Sequence, residues 1–111
     1  MHGQRIPDAL VPHQVTVERY LRSGAYGDIY DEPEHITRAQ VEDKVQWVRD
    51  SKGVEQVSNT TVYLEVPEQP INPGSLVTRW AGTGYEQTSK VIAVSVYHHP
   101  KGLSHVVLNL E

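Results

Sequence analysis

The chain has 111 residues, the size of one ordinary domain. Ten Lys and Arg against 14 Asp and Glu leave a net charge of −4, which argues against a dedicated nucleic-acid groove, because phosphate binding runs mainly on Lys and Arg. Cysteine is absent, which excludes disulfides, thiolate nucleophiles and Cys-ligated zinc.

No apolar run approaches the ~20 residues of a membrane span. The opening Met1-His2-Gly3-Gln4-Arg5 lacks the apolar core of a signal peptide. The expectation is a soluble protein, made in the cytoplasm, with no membrane partner. Valine is the commonest residue, Tyr and Thr are frequent, and Phe is missing. Those side chains suit a pleated, half-buried surface and favour a small β domain over a helical bundle.

Residues 1–12 read as an N-terminal arm, punctuated by Gly3, Pro7 and Pro12. Residues 13–111 read as one β domain. His13 to Leu21 is a strand, with Val15, Val17 and Arg19 on one face. Arg22 to His35 is expected to be a long first loop, because Gly24, Gly27 and Pro33 interrupt regular structure. Its charge is lopsided: Asp28, Asp31, Glu32 and Glu34 crowd into seven residues without a base, beside Tyr26 and Tyr30.

Ile36 to Arg49 fits two elements. Thr37 with Gln40 resembles a helix capping box, and Val41, Val45 and Val48 have helical spacing. The strand alternative puts Ala39, Val41, Val45 and Trp47 on one face, with Asp43 among them. The next residues favour the strand: Asp50-Ser51-Lys52-Gly53 has turn chemistry, and Val54 to Val66 reads as a second strand. On it Val54, Val62, Leu64 and Val66 share a face with Gln56, Ser58 and Thr60.

Three prolines keep Pro67 to Gly74 out of a ladder. Ser75 to Trp80 is a short strand, with Val77 and Arg79 opposed to Leu76 and Thr78. Ala81 to Thr88 is a turn, Ser89 to His98 an apolar strand, and Pro100-Lys101-Gly102 the last turn. Leu103 to Leu110 closes the pattern, with Val106, Leu108 and Leu110 inward. About six strands with regular turn signals predict a mainly β protein, a small antiparallel β-barrel with little helix.

Candidate chemistry is sparse. Six histidines, with His99 and His105 flanking the last turn, form no set with metal-ligand spacing, and no metal or other cofactor is expected. There is no Gly-x-Ser-x-Gly elbow. Gly82-Thr83-Gly84-Tyr85 is half of a nucleotide loop without its helix and reads as a hairpin turn. Asn59-Thr60-Thr61 matches a glycosylation acceptor, which is empty without secretion. Glu42 and Asp43 are adjacent, so on a strand they face opposite ways. The sequence points away from an enzyme. Tyr63, Trp80 and Tyr97 could stack bases in an OB-type nucleic-acid-binding barrel, a reading opposed by the acidic balance.

Four stretches in order carry a resemblance: VTVERYLRSGAYGDIYDEP, VRDSKGVEQVSNTTVYL, INPGSLVT, and the closing pair VIAVSVYHH and HVVLNLE. Together they resemble the head-to-tail stopper, or head-completion, proteins of long-tailed phages, in the versions carried by phages of actinobacteria. The resemblance implies a small β-barrel and a structural virion protein of the neck. Copies would form a ring, a hexamer rather than a dodecamer, between portal and adaptor proteins and the tail terminator or tail tube. The ring would retain packaged DNA without sequence-specific binding and dock the tail. It implies a place in the virion, reached through the host cytoplasm. A neighbouring neck role, as adaptor or tail terminator, is the nearest alternative.

The family's gating segment lies between the second and third strands. Here that position is the short turn Asp50-Ser51-Lys52-Gly53. Candidate partner-contact or channel-lining residues are therefore Tyr26, Asp28, Tyr30, Asp31, Glu32 and Glu34 of the first loop and Asp50, Ser51, Lys52 and Gly53 of the turn. Tyrosines suit protein contacts, and carboxylates facing a duplex repel it, which helps DNA slide.

Overall fold

The computed structural model describes residues 8–98 and 104–111. Among these there is no α-helix. A short 3₁₀ turn, Asp8–Leu10, leads into β1 (His13–Glu18), β2 (Tyr20–Gly24), β3 (Gly27–Tyr30), β4 (Glu34–Arg49), β5 (Glu55–Glu65), β6 (Leu76–Arg79), β7 (Gln87–Tyr97) and β8 (His105–Leu110). Six of these close an antiparallel barrel in the order β1-β4-β5-β8-β7-β6, with β6 returning to β1. Closure leaves no edge strand in the barrel wall. The expected last turn at residues 100–102, with His99, falls outside the described residues, as do residues 1–7 of the arm.

Alternation builds the core. Val15 and Val17 of β1, Ala39 and Val41 of β4, Val62 and Leu64 of β5, Val77 of β6, Val91 of β7, and Val106, Leu108 and Leu110 of β8 all point inward and are buried. Ile71 plugs the same core from the proline-rich connection, with Ile36, Trp80 and Val94 packed against it. Val11, next to the 3₁₀ turn, is also buried.

Two expectations are corrected. The segment 22–35 is not irregular: β2 and β3 form a hairpin of their own, pairing Tyr20 with Tyr30 and Gly24 with Gly27 around Ala25-Tyr26. Of the glycines read as breakers, Gly27 is the one the tight turn requires: its φ of 121° is a conformation other residues rarely adopt, and Gly24 pairs with it across the turn.

The second correction lies in β4. The segment is a strand, not a helix, but Ala39, Val41, Val45 and Trp47 do not share a buried face. The register with β5 shifts between Asp43 and Gln46. This bulge turns Val45 and Trp47 out to solvent, 74% and 72% exposed, while Ala39 and Val41 stay inside. Val54 and Val66, at the ends of the β5 face, are likewise largely exposed.

Past the bulge, residues 46–49 and 55–58 pair only with each other, forming a two-stranded arm that ends at residues 50–53. The arm lies back against the outside of the barrel. Gln46 Nε2 donates to Asn109 Oδ1 at 2.7 Å and to Thr61 Oγ1 at 3.3 Å, so outward-facing Thr61 and Asn109 are buried beneath it.

Candidate interaction surface

Local hydrogen bonds, not packing, set the arm tip. Asp50 Oδ1 accepts from the backbone N–H groups of Lys52 and Val54, each at 2.9 Å, and Oδ2 accepts from Gln56 Nε2 at 2.6 Å. Gly53, with φ 80°, completes the turn by donating to Asp50 O at 3.0 Å. These donors, the Val54 N–H foremost, hold the Asp50 carboxyl below its ordinary pKa.

The first hairpin is also internally bonded. Ser23 Oγ donates to Asp28 Oδ1 at 3.1 Å, and Asp31 Oδ1 accepts from the Glu32 N–H at 2.8 Å. The Tyr20 and Tyr30 rings meet edge-on, 6.0 Å apart. Burial, with Asp28 alongside, pushes the Tyr30 phenol pKa up, and Lys90 opposes the shift. Glu34 is ion-paired with Arg19 Nη1. Arg19 also donates from Nε to Pro70 O and from Nη2 to Gln69 O, each at 3.1 Å, stapling the proline-rich connection to the end of β1.

The candidate residues therefore sort by place. Asp28 of the hairpin and Asp50, Ser51 and Lys52 of the arm tip converge on one groove of about 360 Å³, floored by Lys90, Val91 and Ile92. Tyr26 stands at the hairpin tip, fully exposed. Asp31 and Glu32 lie on the connection to β4 and Glu34 is the first residue of β4, all outside that groove.

Two features are not visible in the sequence pattern. The first is the outer face of the arm, where Trp47 and Val57 are directly paired and both exposed, beside exposed Val45. The apolar spacing is plain, but the bulge that inverts it is not. The second is the state of Arg79. Its alternation with Val77 marks it as inward, yet spacing alone does not show what faces the buried guanidinium. Burial pushes its pKa down, opposed by Asp43.

The residues considered for base stacking do not form one platform. Trp80 follows β6 and packs edge-on against His13, with centroids 5.0 Å apart. Tyr97 stacks on His105 at the far end of β7. Among the described residues no group of three His, Asp or Glu is placed to hold a metal ion. No family model, curated protein or solved structure matches the chain.

Proposed function

We propose that this chain is a structural ring component of the neck of a long-tailed phage, a stopper-type protein between portal and adaptor proteins and the tail. It works without catalysis: the ring helps retain packaged DNA and presents a platform to the tail terminator or tube. Assembled particles are its final location, after passage through the host cytoplasm.

The observation that supports this reading is the β4–β5 arm. It joins the second and third strands of the barrel, where stopper proteins carry their gating segment. The turn itself is short, but the strands run on past their barrel pairings and fold back over the outer face, which brings the turn beside the β2–β3 hairpin. The arm's exposed Trp47–Val57 pair and the acidic stretch from Asp28 to Glu34 are surfaces of the kind a ring protein offers its neighbours. Each contact in a closed ring joins two different patches, so an isolated copy leaves both uncovered.

The test is a reconstruction of the neck in purified particles, with a mass-spectrometric inventory of their proteins. The expected result is a ring of this chain between adaptor and tail, with the arm or the hairpin facing the channel or the next copy. A neck without this chain refutes the proposal.

A further inference from the structure

Arg79 is the last residue of β6, directly opposite Val15 of β1 and Gln87 of β7, and its side chain enters the barrel lumen. It is 2% exposed. Nη2 donates to Gln87 Oε1 at 2.7 Å, while Nε and Nη1 have no partner among the described residues. Asp43 attracts the guanidinium without a hydrogen bond to it; its own Oδ1 accepts from Thr60 Oγ1 at 3.0 Å. Buried polar groups in folded proteins are nearly always paired, and a buried charge more strictly so. An arginine with two orphaned nitrogens marks a place where an acceptor is missing.

Directly outside lies the barrel mouth, a cavity of about 490 Å³ lined by Asp43, Trp80, Tyr85, Glu86 and Gln87. Gln87 is both the exposed rim residue and the cap on Arg79, and its carboxamide is a neutral, replaceable acceptor. The mouth loop is firmly built: Thr83 Oγ1 donates to Trp80 O at 2.7 Å, and Glu86 Oε1 accepts from the Gly82 N–H at 2.9 Å.

We propose that the barrel mouth is a receptor for a single carboxylate, which displaces the Gln87 carboxamide and pairs with Arg79. Charge and geometry define the class. A carboxylate meets the guanidinium with an opposite charge and can accept two of its N–H groups at once, which a neutral carboxamide oxygen does not. Asp43 and Glu86 on the rim oppose every anion, a doubly charged one about twice as strongly as a singly charged one, so monovalent carboxylates are favoured over sulfate or phosphate. Trp80 and Tyr85 give apolar walls to whatever carries the carboxylate. The source is either a small free carboxylic acid or an Asp or Glu side chain of another protein. The proposal stands independently of the neck assignment.

The experiment titrates the full chain with sodium acetate, and separately with sodium sulfate, at constant ionic strength set by sodium chloride. NMR reads the Arg79 Nε–H and the Trp80 indole N–H. Acetate is expected to give a saturable shift at both. Gln87→Ala, which removes the competing cap, tightens acetate binding about tenfold, the worth of one hydrogen bond to a charged group. Arg79→Met abolishes the shift; should that variant not fold, the tightening in Gln87→Ala decides. A capped Gly-Asp-Gly peptide that binds more tightly than acetate identifies a protein side chain as the source. Its exclusion while acetate binds identifies a small molecule. No saturable shift in either the native chain or Gln87→Ala, or equal binding of sulfate, overturns the proposal.

Discussion

The side-chain amide of Gln46 donates to Asn109 across 2.7 Å, tying the base of the β4–β5 arm to a residue 63 positions later in the chain. Asn109 also accepts from Thr61 Oγ1 at 3.4 Å. Replacing Asn109 by Ala leaves the buried Thr61 hydroxyl without its acceptor and removes the shorter of the two bonds donated by Gln46 Nε2. The expected cost is about 1–3 kcal/mol. Hydrogen exchange then locates it: amides of Glu55 to Val57 speed up, while those of Val62 and Leu64 keep their native rates. Uniform acceleration through both sets shows that the arm is not a separately opening unit.

Arg79 lacks a bonded counter-charge, so its presence weakens the isolated fold. Arg79→Met, similar in length and free of charge, is expected to stabilise the carboxylate-free protein by about 1–4 kcal/mol in chemical denaturation. A lower midpoint in the variant contradicts the assignment of a buried cation without a hydrogen-bonded counter-charge.

Asp50 gives stability a defined pH dependence. Its folded pKa lies below the unfolded value of about 3.9. The stabilisation from its hydrogen bonds is therefore fully present above that value and is lost as pH falls through the lower, folded pKa. Thermal melts of the native chain and Asp50→Asn are expected to differ by a constant amount above about pH 5 and to converge on acidification. A gap that persists in acid places the contribution elsewhere.

Arg19 and Glu34 are unequal partners. Arg19 is mostly buried and also holds two carbonyls of the proline-rich connection, whereas the Glu34 side chain is half exposed. Arg19→Ala is expected to cost about 2–3 kcal/mol, and Glu34→Gln less than about 1 kcal/mol. Equal losses by urea denaturation show the ion pair, not the carbonyl staple, to be the main tie.

Leu108 is fully buried at the centre of β8, between β5 and β7. Leu108→Ala is expected to destabilise by about 2–5 kcal/mol, measured by the same denaturation. A change below about 1 kcal/mol shows that the cavity collapses freely.

The barrel was legible because period-two alternation survives wherever a strand is regular. Val15 and Val17, Val62 and Leu64, Val77 and Arg79, and Val106, Leu108 and Leu110 all face as their spacing required. It failed at Val45 and Trp47, because one bulge shifts the phase of everything beyond it and carries no residue signature of its own. Gly24 and Gly27 misled for a related reason: the same permissive backbone that ends one element permits the tightest reversal between two. Of the candidate surface, Asp28 and Asp50 to Lys52 stand in separate segments of the sequence. Their convergence comes from the folding-back of the arm, a tertiary event. The lone donors of Arg79 could be found only once its neighbours were placed.

The position of β8 has a kinetic consequence. It is the last strand in the chain order, yet it sits between β5 and β7 and contributes three core side chains. The β4–β5 hairpin can zip as soon as it is made, from neighbours close in sequence. The cylinder cannot shut until residues 105–110, which pair with the preceding strand β7, also reach β5, and a pairing that remote in sequence forms slowly. A nascent chain lacking them exposes the flanks of β5 and β7 together, the interval in which it is most open to mispairing with another copy.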